Sequence, residues 1–224
     1  MTRINIVVEG LTEESFINNV LAPSLWSRNI YVTPFVLGVP GHKGGNVQYA
    51  RVKKDIILQL KQDRTVYCST MFDLYGLGNG FPGMPLPAHL TGLEKATRIE
   101  QGIREDIAAI IPEHRPNIRL LPYLQVHEYE GLLFSNPEAF ATALGKDALS
   151  PQLRSIRDSV SSPEDINDNP NTAPSKRVSD LYRSYKKVIE GTVAAQAIGL
   201  QRMRQECPHF NNWVDSLESV APLS

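Results

Sequence analysis

Apolar positions recur in two rhythms along this chain. Ile4, Ile6, Val7 and Val8 form a short β-branched run, which suits a strand buried on both faces, and it ends at Glu9-Gly10. Thr12, Glu14 and Ser15 read as a helix start, with Phe16, Ile17, Val20 and Leu21 at helical spacing behind them. Ile30 to Val39 predicts a second strand, broken by Pro34 and ended by Pro40. The Gly-rich turn Gly41-His42-Lys43-Gly44-Gly45 leads into a second helix marked by Tyr49, Val52, Ile56 and Leu60. Thr65 to Phe72 predicts a third strand, stopping at Asp73. A Gly- and Pro-rich loop from Leu74 to Gly92 precedes a third helix over Ala96, Ile99, Ile103, Ile107 and Ile110, where Glu100 and Arg104 form a favourable i,i+4 pair. Ile118 to Val126 predicts a fourth strand, which Pro122 places at an edge or gives a bulge. Strands spaced by helices of this length imply βαβ units and a parallel sheet.

From Glu128 onward the rhythm is helical. Helices are expected over Leu132 to Leu144, Pro151 to Val160, Val178 to Ile189 and Val193 to Glu206, with an Asp-, Asn- and Pro-rich loop from Ser162 to Pro174. The reading is therefore an α/β core over residues 1–130 and a helical extension over 131–224 packed on it.

Composition narrows the class. The 224 residues are 42% hydrophobic and 21% charged, which excludes a disordered, collagen-like or disulfide-stapled chain. With 23 Lys+Arg against 24 Asp+Glu, no global positive charge draws the protein onto nucleic acid. Work on nucleic acid would need a local site, a bound cation or a partner. Cys68 and Cys207 have no neighbour at CxxC spacing, so no zinc or redox motif is written here; reduced thiols are the simpler reading, with a disulfide left open. The N-terminus enters a strand pattern without a signal-peptide core, and no stretch is apolar and long enough to span a membrane, so a cytoplasmic protein is expected.

In open α/β sheets ligands bind beyond the carboxyl ends of the strands. Here the first strand ends in Glu9, with Glu13 and Glu14 just after; the third ends in Asp73; the fourth ends in His127-Glu128-Tyr129-Glu130. Singly, Glu13 and Glu14 read as first-turn acids, Asp73 as a turn residue and His127 as a satisfied polar residue. Together, carboxylates at three strand ends on one edge repel one another unless a cation joins them, and hard oxygen donors favour Mg²⁺ or Mn²⁺. Lys43, Gly44 and Gly45 before a helix could cradle a phosphate, although no Walker A motif is present and a plain tight turn reads equally well. Lys176 and Arg177, in Pro174-Ser175-Lys176-Arg177, offer positive charge to an acidic site or a phosphodiester, or simply start a solvated helix.

Val8-Glu9-Gly10-Leu11-Thr12-Glu13 resembles the first motif of Toprim domains, the metal-binding fold of topoisomerases, primases and OLD-type nucleases. The ordered set resembles a bacterial Toprim-like family more closely. It comprises Glu9 to Glu13, Gly44-Gly45, Phe72-Asp73-Leu74-Tyr75-Gly76-Leu77, Phe81-Pro82-Gly83, His127 to Phe134 and Pro174 to Arg177. The resemblance implies a Toprim-like parallel sheet flanked by helices, with a divalent metal held by Glu9 and Asp73. Toprim nucleases carry Asp-x-Asp after the third strand; Tyr75 stands at the second position here, so Glu128 and Glu130 would substitute. The resemblance also implies an ABC-type ATPase encoded alongside, as in an OLD nuclease split into two chains, and a role in antiphage defence.

Two functions of different class follow. One is a Mg²⁺-dependent nuclease with Glu9, Asp73 and Glu128 as metal ligands and Glu13 and Glu130 as further ligands or a base. In it Lys176 stabilises the transition state and His127 orients a carboxylate or shuttles a proton. The other is a non-catalytic Toprim-like subunit that docks to or regulates an ATPase, which the absent second Asp favours. A phosphotransferase with Asp73 as acceptor is a weaker third, because Glu9 is followed by Gly10 rather than a second acid. A DNA or RNA substrate and a homo-oligomer are the remaining expected partners.

Overall fold

The computed structural model describes residues 1–38, 47–166 and 172–223. Four parallel strand positions run in the order β2-β1-β3-β4, with β5 also on β3. They are β1 (Thr2–Val8), β2 (Ile30–Val36), β3 (Val66–Asp73), β4 (Leu120–Leu121) and β5 (Leu124–Gln125). The first crossover is helical from Leu11 to Trp26. It comprises α1 (Leu11–Phe16), a π stretch (Ile17–Leu21) and α2 (Ala22–Trp26). The next crossovers are α3 (Tyr49–Gln62) and α4 (Gly92–Ile110), followed by the short α5 (Pro116–Arg119). The second half holds α6 (Pro137–Ala143), α7 (Ser150–Asp158), α8 (Pro174–Leu181), α9 (Lys187–Ile198), α10 (Leu200–Glu206) and α11 (Pro208–Glu218). The fold is α/β, a parallel sheet covered by helices on both faces.

Period-two alternation sends each strand's side chains to two cores. Val7, Cys68 and Phe72 pack with Val52, Ile56 and Leu60 of α3 and Ile99, Ile103 and Ile107 of α4. Ile4, Ile6, Val8 and Met71 pack on the other face with Phe16 of α1, Phe134, and Phe210 and Trp213 of α11. The second-half helices thus complete the core on that face of the sheet. Pro34 lies on β2, which among the described residues pairs only with β1, so its missing N–H faces the open edge.

Several elements differ from the sequence reading. The fourth strand is two fragments: β4 pairs with Cys68 and Ser69, β5 with Phe72 and Asp73, and Pro122-Tyr123 interrupts them. Across the gap Thr70 substitutes side-chain bonds, its hydroxyl donating to Tyr123 O and accepting from Tyr123 N. The helix expected from Leu132 begins as a 3₁₀ stretch (Tyr129–Ser135), and the α-helix starts only where Asn136 caps Ala139 N ahead of Pro137. The helix expected over Val178 to Ile189 breaks after Leu181 and restarts at Lys187, because Glu190 accepts from both Lys186 N and the Tyr182 hydroxyl and anchors a new N-terminus. Gly199, at φ +80, separates α9 from α10. Helix α11 was not expected, and Cys207 before it is buried. Both cysteines are free. No helix among the described residues is long and apolar enough to cross a membrane.

Candidate functional site

Register brings the acids to one edge. Val8 pairs with Met71, so Glu9 and Asp73 leave adjacent parallel strands at nearly the same level, and Gln125 of β5 pairs with Asp73 itself. Gly10 then caps α1, where its N–H donates to Glu13 Oε2 at 3.0 Å and fixes a carboxylate that is only 4% exposed. After β5 the chain turns at His127, whose φ of +63 is a left-handed conformation unusual for a residue with a side chain. Tyr129 N, just beyond, donates to Asp73 Oδ1 at 2.8 Å. The Glu130 carboxylate is fully buried beneath. Gly76 lies against Glu9: a Cβ there would stand 2.9 Å from Glu9 Oε2, so a larger residue would displace the end of that carboxylate.

The second half supplies what joins the acids. The Lys187 ammonium, at the start of α9, lies 3.0 Å from Glu130 Oε2 and 3.4 Å from Asp73 Oδ2. The approach to Glu130 is an ion pair without good hydrogen-bond direction, so among the described residues neither Glu130 oxygen has a well-aimed donor. From α8, the Ser175 N–H donates to Glu128 Oε2 at 2.9 Å. His127 and Tyr75 stack obliquely, ring centroids 5.5 Å apart, and Tyr75 N donates to His127 O.

Among the described residues one ammonium, Lys187, pairs with Asp73 and Glu130 of the five carboxylates, and the electrostatics show the deficit. Burial, then Asp73, push Glu13 up to about 8 against the pull of Lys187. Burial pushes Glu130 up to about 7, again opposed by Lys187. Asp73 is raised by burial, with Lys187 opposing and Glu128 adding to the rise. Glu9 is raised by burial and by Asp73. Burial alone would lower Lys187, but Asp73, Glu130 and Glu13 outweigh it and hold the ammonium above the usual lysine value.

A hard divalent cation matches this donor set in chemistry, and Glu130's two buried oxygens lack aligned donors. As placed, the side chains close on Lys187. No group of three or more His, Cys, Asp or Glu among the described residues is arranged to hold a metal ion.

The family described as Domain of unknown function (DUF4276) matches residues 8–218, from the end of β1 to the end of α11. The chain belongs to the DUF4276 family. No curated protein matches it. Among solved structures it is similar to the C-terminal region of the Burkholderia pseudomallei OLD protein, at 15% identity and a TM-score of 0.45 over 97% of each chain. It is also similar to the C-terminal region of the Xanthomonas campestris pv. campestris OLD protein, at 14% identity and a TM-score of 0.42 over 97% of this chain and 95% of that one.

In this DUF4276 chain the edge gathers Glu9, Glu13, Asp73, Glu128 and Glu130, with His127 on the connecting turn. Lys176 points elsewhere: it is 54% exposed and pairs with Asp180, 3.2 Å away on its own helix. Arg177 donates to Thr172 O. What segment 174–177 brings to the acids is the backbone N–H of Ser175. The proposed cradle of Lys43, Gly44 and Gly45 lies outside the described residues. The cation that reaches the acids is Lys187, which sequence reasoning missed. It lies 114 residues from Asp73, in a stretch that reads as helix interior, and nothing local distinguishes it from Lys186.

Proposed function

We propose that the chain is a Toprim-like phosphodiesterase that cleaves nucleic acid with the help of Mg²⁺ or Mn²⁺. The observation that carries this reading is the surplus of carboxylates over ammonium at the carboxyl ends of parallel strands, where a sheet of this kind presents ligands. In the proposal Glu9, Asp73 and Glu128 hold the cation. Bound there, the metal would offset charge on the scissile phosphate and lower the pKa of a coordinated water.

The chain's own residues take the remaining tasks. Glu13 and Glu130, held near 8 and 7, keep a proton around neutrality and can exchange it with the attacking or leaving oxygen. Lys187 offsets anionic charge, the task the sequence assigned to Lys176. Tyr129 N and Ser175 N fix Asp73 and Glu128, so these carboxylates need little reorganisation. The motif resemblance extends the proposal to a separate ABC-type ATPase subunit and to antiphage defence.

The second reading, a non-catalytic subunit that docks to an ATPase, draws on the closure of Asp73 and Glu130 around Lys187 and on Tyr75 in place of a second Asp. Cleavage assays on plasmid and RNA with Mg²⁺ or Mn²⁺, with and without the neighbouring ATPase, decide between the two. Metal-dependent cleavage is expected from the parent, with at least a hundredfold loss (about 10²) in Glu9→Gln and Asp73→Asn, in the range seen when one charge-stabilising group is removed. Near-parent cleavage by both variants removes the proposed site.

A further inference from the structure

A cavity that shares no lining residue with the acidic edge lies where α4 and α11 flank the interrupted edge strand. Its volume is about 150 Å³. That is well below the several hundred Å³ of a nucleotide- or drug-sized pocket, and leaves room for a few waters or one small ion. Two stripes of polar side chains face each other across it. Glu100 and Arg104, one turn apart, come from α4, while His209, Asn212 and Ser216 come from α11 at helical spacing. The floor is apolar and rigid: the Trp213 indole stacks on Tyr123 with centroids 4.3 Å apart, and its N–H is already committed to Ser69 Oγ.

The charges do not balance. The sequence pairs Glu100 with Arg104, but the fold separates their roles. Glu100 Oε1 accepts from Leu124 N at 2.7 Å and lies 2.9 Å from His209 Nε2. Burial alone would lower His209; its bond to Glu100 and the field of Glu164 outweigh that and favour the protonated ring. The carboxylate of Glu100 is thereby spoken for. Arg104 is left without a hydrogen bond or ion pair among the described residues, and its Nε is buried as well as partnerless. The buried Nε has lost water without gaining an acceptor, and an acceptor entering the cavity would supply one. Asn212 and Ser216, both exposed, add polar groups at the rim.

We propose that this cavity is a binding site for a small oxyanion of the phosphate class, gripped by Arg104 and lined by His209, Asn212 and Ser216. Guanidinium and phosphate match in geometry and charge, and the cavity admits the ion but no nucleoside attached within it. The phosphate could arrive free or as the terminal group of a nucleic-acid strand whose remainder stays outside. The site is independent of the metal-assisted chemistry proposed for the acidic edge.

Trp213 reports on occupancy. The chain has 2 tryptophans, and Trp26 is exposed, so Trp26→Phe leaves Trp213 as the single emitter. Titrating inorganic phosphate into that protein near neutral pH is expected to change Trp213 emission saturably. Arg104→Gln in the same background should weaken binding by about tenfold or more, the worth of one charged hydrogen bond, and Arg104→Lys should recover part of the loss. Ser216→Asp adds a negative charge at the exposed rim, should weaken binding comparably, and decides alone if Arg104→Gln fails to fold. A 5′-phosphorylated oligonucleotide and its 5′-hydroxyl twin separate the sources. Tighter binding of the phosphorylated strand that Arg104→Gln abolishes assigns the site to strand ends, while equal binding with free phosphate still saturating assigns it to the free ion. No saturable response to either ligand, or equal affinity in Arg104→Gln and its parent, overturns the proposal. Cleavage assays address the acidic edge separately, so failure here leaves that reading standing.

Discussion

Glu13 shows most directly what a single side chain contributes. It is held by Gly10 N, is 4% exposed, and its carboxyl rises from the ordinary 4.5 to about 8 through burial and the nearby Asp73. A carboxyl whose folded pKa is raised stabilises the fold fully below the unfolded value, and that contribution is lost as pH rises through the folded value. The window for Glu13 therefore runs from about 4.5 to about 8. Glu13→Gln keeps an acceptor for Gly10 N and cannot ionise. Below the window it should match the parent, and across it the variant should become the more stable of the two, by up to about 5 kcal/mol above the window. Denaturant melts at a series of pH values check this; a variant that loses ground to the parent on the alkaline side contradicts the burial argument. The same substitution should impair cleavage at the neutral pH where it stabilises, the opposite signs expected of a residue kept for function rather than for stability.

Among the elements, the junction of α3, β3 and α5 depends on one side chain. Arg119 is 1% exposed, and its guanidinium donates only to main-chain carbonyls: Leu60 at the end of α3, Asp63, Val66 at the start of β3, and His114. It satisfies carbonyls that the end of α3 leaves open and ties them to the edge strand. Desolvation lowers its pKa, yet no carboxylate pairs with it among its hydrogen-bond partners. Arg119→Met keeps much of the volume and strands several buried acceptors, so a loss of about 3 kcal/mol is expected in urea unfolding. A loss within about 0.5 kcal/mol, the range of an ordinary surface change, would show that the carbonyls find other donors. The break between α8 and α9 matters to the site in another way. A continuous helix through residues 178–189 would give Tyr182 and Lys187 a different relation to the sheet; the restart at Glu190's cap is what sets Lys187 over Asp73 and Glu130.

For the molecule as a whole, the acids and their cation couple metal binding to stability. If the edge holds Mg²⁺, the parent should gain about 1 kcal/mol when free metal is fivefold above Kd, and Asp73→Asn should lose most of that gain. Without metal, Asp73→Asn should be no less stable than the parent, because burial and Glu128 already disfavour its charge despite Lys187. Thermal melts in EDTA and in graded Mg²⁺, repeated with a non-cleavable oligonucleotide, check both statements; a parent whose melting is indifferent to metal in every condition removes the metal from the site. The sequence by itself determined the β-α alternation, because a strand buried on both faces and a helix with one apolar stripe leave different local periods. It also determined that Glu9, Asp73 and the 128–130 segment end neighbouring parallel strands, because strand ends are marked by local turns and acids. Tertiary structure alone decided that Lys187, and not Lys176, completes that edge, and that Glu100 turns from Arg104 to His209. Those choices depend on contacts between segments far apart in the chain, where a charge's partner is set by the packing of helices and by which acceptors are already taken, and neither leaves a trace in local spacing.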